Sequence, residues 1–304
     1  MMKVLFFKEP DFWSEKIEQS GVTVIPLFKK IPFFFKPARI FHLNSHLRFK
    51  RIWYRRWEKQ LDDYDLLILT AADFSVNIAN YIDTLNVKKE LRLIFWYWDP
   101  VRLKYSPDKV SERWEKWSFD KSDCKRYNLK YNSTYFFDSI TLPPQKLVYD
   151  VFFVGQNKGR LNTLLNLKKT LEQFSLRILF LIISDKNFFY DKKVFQKRIP
   201  YKTTLKLISK SKSLLEFVQQ NQSGPTLRSM EALFFDKKLI TNNSSIKDYD
   251  FYCKENIFII GEDDINEIFR FLNAPYKLVA TEVTEQYNFI EWLKRLVNNV
   301  SLSL

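Results

Sequence analysis

The chain of 304 residues is poor in glycine, cysteine and histidine, with five, two and two. Each shortage excludes something. The cysteines, Cys124 and Cys253, stand far apart, which excludes a disulfide framework and a cysteine metal site and fits a reducing compartment. The histidines, His42 and His46, sit four apart with no third ligand nearby. A metal pair is not expected there. Asp120 and Asp123 form an Asp-x-x-Asp, and no tightly bound metal or other cofactor is expected. No uncharged apolar run reaches about 18 residues, so no transmembrane helix is expected. The N-terminus is too short for a secretory signal and lacks a small-residue cleavage site, and it reads as a first buried strand. A cytoplasmic protein is the expectation.

What is present points to a folded α/β protein. Hydrophobic residues make up 46% and charged residues 28%. A chain this long can bury two cores. The net charge is +14 and is concentrated. Between Lys29 and Lys59 stand ten Lys or Arg and one acid, Glu58, a net +9. Phe33, Phe34, Phe35, Phe41, Phe49, Trp53, Tyr54 and Trp57 interleave with them. Such a window suits an anionic membrane surface, with the protein peripheral at its inner face. The other readings are a solvated helix and a nucleic-acid contact.

Short apolar runs alternate with helical periods. Strands are expected at 3–7, 22–28, 65–70, 91–98 and near 132–137, with helices over 11–19, 46–61 and 73–85. After Leu142-Pro143-Pro144-Gln145, the best linker, strands are expected at 147–154, 176–183, 214–218, 238–241 and 257–260. Helices fall over 160–174, 201–211, 225–235, 263–272 and 285–297. The domains are therefore read as 1–142, 147–283 and a C-terminal amphipathic helix over 284–304.

Three segments carry a family resemblance. One is Val154-Gly-Gln-Asn-Lys-Gly-Arg160, after a strong strand. Another is Gln222-Ser-Gly-Pro-Thr-Leu-Arg-Ser-Met-Glu-Ala-Leu233, a loop opening a helix. The third is Lys237-Lys-Leu-Ile-Thr-Asn-Asn243. In this order they resemble the donor domain of the group-1-like, retaining glycosyltransferases with the GT-B fold, known from bacterial lipopolysaccharide and capsule biosynthesis. The resemblance covers roughly residues 148–260. It implies two Rossmann-like α/β domains facing a cleft, and transfer of a sugar from a nucleotide-diphosphate donor to a glycan or lipid-linked acceptor. It also implies a donor site of Gly155, Lys158, Arg160, Gln222, Ser223, Gly224, Thr226, Arg228 and Glu231, with Glu231 on the ribose and the cations on the diphosphate. Many members carry an acid seven or eight residues before that glutamate. Here Gly224 and Ser223 stand there, which leaves the sugar and the retaining outcome open.

Catalytic candidates come from position. Asp99 and Asp73 follow apolar strands, where open α/β sheets place functional groups. His42 is the third, as a base or phosphate contact. Helix capping is the ordinary alternative for the aspartates. Within the same fold, transfer of a polyol phosphate from a CDP-linked donor is a rival. It is disfavoured because no histidine follows His46. No nucleic-acid partner is expected, although a basic nucleic-acid-binding α/β protein is the rival of a different class.

Overall fold

The structure is a computed structural model and describes residues 2–45, 47–185, 191–192, 194–219 and 222–302. By internal contacts the chain forms two units, residues 1–133 with 292–304, and residues 134–291. The division falls upstream of the Pro143-Pro144 pair, and the chain returns to the first unit within its final helix.

The first unit contains β1 (Val4–Phe7), α1 (Phe12–Gln19), β2 (Thr23–Ile25), α2 (Lys36–Asn44), β3 (Leu66–Thr70), α3 (Ser75–Asp83), β4 (Arg92–Tyr97), β5 (Trp114–Ser118), α4 (Lys121–Tyr127) and β6 (Lys130–Tyr131). Its six strands are parallel in the order β2-β1-β3-β4-β5-β6. Leu66, Leu67, Ile68 and Leu69 are all buried, as expected of a parallel strand covered on both faces. Trp57, Trp96, Trp114 and Trp117 fill this core. Asp11 caps α1 reciprocally with Ser14. Asp120 caps α4 by accepting from the Asp123 N–H.

Two sequence expectations are corrected in this unit. Residues 47–61 are not one helix; they form 3-10 turns at Lys50–Trp53 and Glu58–Asp63. His46, which the expected helix included, lies outside the described residues. Long-range pairing wins over helical periodicity here. Lys29 donates its N–H to the Trp53 carbonyl and Arg55 to the Leu27 carbonyl, each at 2.9 Å, and Phe28 bridges Tyr54. The helix of this region is α2 instead. Residues 132–137 are a buried irregular run rather than a strand. Only Phe136 makes a bridge, to Asn288 within the second unit.

The second unit holds β7 (Tyr149–Gln156), α5 (Leu161–Glu172), β8 (Ile178–Ile183), α6 (Tyr201–Ser209), β9 (Ser211–Glu216), α7 (Leu227–Phe234), β10 (Lys238–Thr241), β11 (Ile257–Ile259), α8 (Ile268–Asn273) and α9 (Thr281–Glu285). The strands run parallel in the order β11-β10-β9-β7-β8. Val151 and Phe153 pack with Leu164 and Leu171 of α5 and Ile268 and Leu272 of α8. A last helix, α10 (Phe289–Asn298), begins in the second unit and ends in the first. The helix expected over 285–297 is α10, which starts four residues later, with the short α9 before it.

At the start of β7, Asp150 accepts from the Arg177 N–H and Nε at 2.9 and 3.0 Å, and its other oxygen pairs with Lys212 Nζ at 2.9 Å. Burial alone pushes this carboxyl up, but Arg177 and Lys212 outweigh it and hold the pKa at about 2, against an ordinary 3.8. A carboxyl held low in the fold adds stability that is present above its unfolded pKa. That stability is lost as pH falls through the folded value. Asp150→Asn is therefore expected to cost roughly 1–2 kcal/mol at neutral pH, discounted for the solvent around Arg177. Urea titrations at several pH values check this, with the two proteins converging near pH 2.

Candidate functional site

The sheet of the second unit reverses direction at β7. The chain leaves β7 for β8 on one side, then returns to β9 on the other and continues outward to β10 and β11. Right-handed crossovers then place the following helices on opposite faces, and a crevice opens at the carboxyl ends of β7 and β9. A cavity of about 720 Å³ lies there. Its walls come from the turns after β7, β9 and β10, including Lys158, Arg160, Thr163, Gln222, Asn242 and Asn243.

The turn after β7 is tight. Arg160 N–H bonds the Asn157 carbonyl at 3.0 Å, and both residues between are left-handed, Lys158 at φ 47° and Gly159 at φ 77°. Glycine adopts this freely, whereas lysine does so at a cost on the order of 1 kcal/mol. The Lys158 N–H is anchored on Asp185 Oδ1 at 2.9 Å. Arg160 opens α5 without a side-chain cap, so the helix N-terminus keeps free N–H groups. Its guanidinium donates to the Gln156 carbonyl at 3.1 Å and lies 5.8 Å from the Phe153 ring centre. Gly155 leaves room for it: a Cβ there would meet the Phe153 ring at 3.0 Å and Arg160 Nη2 at 3.5 Å. Burial lowers the Arg160 pKa, opposed by Asp185 and Glu216. Arg160 Nε and Asn157 Oδ1 are buried with no hydrogen-bond partner among the described residues. Such orphaned groups require an explanation, and a ligand is one.

The loop after β9 is held by polar side chains. Asn242 accepts the Val218 N–H at 2.7 Å, and Asn243 donates to the Ser223 carbonyl at 3.1 Å. Gln222 reaches the Gly224 carbonyl at 3.4 Å. At the end of β9 the buried Glu216 accepts from the Thr226 N–H at 3.0 Å and the Thr226 hydroxyl at 2.7 Å. It also accepts from Ser229 and, at 2.6 Å, from Thr241. Thr226 in turn caps α7. Glu216 thereby fixes where α7 starts.

The structure thus divides the expected donor residues. Lys158, Arg160 and Gln222 line the cavity, and Gly155 lies beneath Arg160. Ser223 and Gly224 form the loop backbone, while Thr226 belongs to the Glu216 network. Arg228 and Glu231 pair with each other inside the unit. Glu231 is 0% exposed; Oε1 accepts the Tyr201 O–H at 2.7 Å and Oε2 meets Arg228 Nη1. Burial raises its pKa, opposed by Arg228 and Tyr201. The Arg228 guanidinium also lies 5.7 Å from the Phe152 ring centre. Sequence reasoning missed Glu216, Tyr201, Asn242 and Asn243. Only the asparagines had a signal, their place directly after an apolar strand.

The three expected catalytic residues lie in the first unit. Asp99 follows β4 and is exposed. Asp73 follows β3, exposed and paired with Lys104 at 2.8 Å. His42 has both ring nitrogens engaged. Nδ1 accepts the Trp53 indole N–H at 2.9 Å, so Nε2 carries the proton and donates to the Arg48 carbonyl at 2.8 Å. His42→Ala is expected to cost about 1–2 kcal/mol, the net worth of two hydrogen bonds. Amide exchange should quicken at residues 48–53. Unchanged exchange there would refute this role. Among the described residues no cluster of three or more His, Cys, Asp or Glu is placed to hold a metal, and no helix is long and apolar enough to cross a membrane.

No family model and no curated protein matches the chain. Solved structures do. The DNA-modifying enzyme β-glucosyltransferase, solved with and without its substrate uridine diphosphoglucose, is 14% identical, with 98% of this chain and 96% of that chain covered and a TM-score of 0.51. T4 phage BGT with its UDP-glucose substrate is 13% identical over 99% of this chain and 100% of that one, with a TM-score of 0.51. TarM is 11% identical over 80% of this chain and 56% of its own, with a TM-score of 0.52. At such identities the likeness shows the fold: two parallel-sheet α/β domains of the GT-B type.

Proposed function

On the premise that this chain has the GT-B fold, we propose that it is a glycosyltransferase that moves a sugar from a nucleotide-diphosphate donor to a glycan or glycolipid acceptor. The cavity at the β7/β9 reversal carries this reading. It presents two cations, Lys158 and Arg160, an uncapped helix N-terminus and a ring of amide side chains, and Arg160 Nε–H is buried with no partner among the described residues. These groups suit a diphosphate. Cations there stabilise the negative charge that grows on the departing nucleotide. Two of the similar structures were solved with UDP-glucose, so a UDP-sugar is the first donor to test.

The finer reading is also a proposal: surface polysaccharide or lipopolysaccharide assembly, by a cytoplasmic protein peripheral to the inner face of the membrane. The donor belongs to the second domain and the acceptor to the first. Asp99 and Asp73 are the proposed acid/base groups, because His42 is already bonded on both nitrogens. Glu231 would contact the ribose only by exchanging its bond to Tyr201 or Arg228.

Calorimetry with UDP, UDP-sugars and other nucleotide sugars tests the donor site. A screen in which no nucleoside diphosphate or its sugar binds the folded protein would remove the proposal. Hydrolysis or transfer read by nucleotide release then names the sugar.

A further inference from the structure

Helix α2 and the 3-10 turn that leads into it, Phe33–Phe35, turn an apolar face outward. Phe33, Phe34, Pro37, Ile40 and Phe41 recur at helical spacing. All are exposed, Phe33 at 77%, Phe34 at 72% and Phe41 at 70%. The inward side is carried by the buried Leu43 and by Arg39, which donates to the Lys29 carbonyl at 3.1 Å and lies 5.0 Å from the Phe28 ring centre. A helix covering a core does the reverse. The next segment continues the pattern. Leu47, Phe49 and Ile52 are exposed, and Phe49, at 73%, has φ 64°, a backbone region that bulky residues seldom enter. Cations surround this surface. Lys36, Arg48 and Arg51 are exposed, and Arg48, Lys50 and Arg51 line a cavity of about 730 Å³ beside it. No acid occurs from Lys29 to Trp57. The two hydrogen bonds of His42 tie α2 to this segment and fix the arrangement.

We propose that the surface of residues 33–52 docks on an anionic lipid bilayer. The phenylalanines, Ile40 and Leu47 enter the interface, and Lys36, Arg48, Lys50 and Arg51 meet lipid phosphates. Charge complementarity selects this partner. Nucleic acid would also satisfy the cations, but Ile40, Leu47 and Ile52 can neither stack well on bases nor hydrogen-bond to them. The inference deepens the lipid-linked acceptor reading above and is independent of the donor cavity.

Co-sedimentation of the full chain with phosphatidylcholine vesicles, and with vesicles also containing phosphatidylglycerol, tests it. The protein is expected to pellet with the anionic vesicles and to be partly released as salt shortens the screening length from about 10 Å at 0.1 M to about 3 Å at 1 M. F33S/F34S/F41S should bind the same vesicles roughly tenfold more weakly or worse. Its melting temperature should not change, since none of the three side chains is buried. R48E/R51E should lose binding as well. Several outcomes overturn the proposal: equal recovery with both vesicle types, recovery with neither, or full binding by F33S/F34S/F41S. Tight binding of an oligonucleotide without vesicle binding would make nucleic acid the partner. A dimer in light scattering that F33S/F34S/F41S abolishes would make it a second copy of the chain. Nucleotide-sugar calorimetry on the same preparations reads the donor site separately, so neither failure can be mistaken for the other.

Discussion

Glu231→Ala is expected to lower the melting temperature of the second domain by roughly 10 °C, the equivalent of about 3–5 kcal/mol. The carboxylate is wholly enclosed, with Tyr201 on one oxygen and Arg228 on the other. Removing it leaves a guanidinium that is only 12% exposed without this counter-charge, and takes away the carboxylate that accepts from the Tyr201 phenol. Glu231→Gln should cost less, because its amide oxygen still accepts from Tyr201. Replacing both partners, Arg228→Met with Glu231→Leu, should recover most of the loss, since neither charge is then stranded. Calorimetric melting decides the matter; a Glu231→Ala protein that melts with the parent would refute the buried pair. The Gln variant also addresses the ribose. Intact melting with a donor affinity reduced tenfold or more would place the carboxylate on the ligand.

Arg160→Ala carries the second large effect. UDP and UDP-sugar affinity is expected to fall roughly 10- to 100-fold, the worth of a charge-assisted bond at about 1.5–3 kcal/mol. Uridine alone should be affected much less, because the guanidinium is assigned to phosphate. Arg160→Lys should restore only part, as an ammonium cannot reproduce the planar fork. Lys158→Ala should have a smaller effect than Arg160→Ala, because Lys158 is exposed and its interactions are screened by water. Equal UDP affinity in the parent and Arg160→Ala, by calorimetry, would take Arg160 out of the donor site.

The sheets were legible where strands are covered on both sides. Leu66–Thr70 and Arg92–Tyr97 read as continuous apolar runs because parallel strands are buried that way. Strand β5 was not legible. Its Glu115 and Lys116 interrupt the pattern, and Glu115 is accommodated by ion pairs with Arg92 at 2.8 Å and Lys130 at 3.0 Å, partners distant in sequence. The cationic turn that lines the cavity could be read from Lys158-Gly159-Arg160, since glycine marks the turn and the charges flank it. The enclosure of Glu231 could not, because Tyr201 lies thirty residues away on another helix. Periodicity also cannot tell which side of an amphipathic helix meets the core. The outward face of α2 therefore emerged only from the fold.

The last helix sets a condition on synthesis. Trp292 is fully buried in the first domain, stacked on Phe6 at 6.4 Å and edge-on to Trp96 at 5.1 Å. Arg92 binds the carbonyls of Leu296 and Val297, and Arg295 binds Asn132 at 2.7 Å. The domain that leaves the ribosome first therefore lacks part of its core until residues 292–302 have been translated. The second domain, continuous in sequence, can close earlier, inverting the usual N-terminal-first order. A nonsense codon just before Trp292 would leave every residue lining the β7/β9 cavity in the chain and still act as a lesion of the N-terminal domain, with unfilled space beside Phe6 and Trp96.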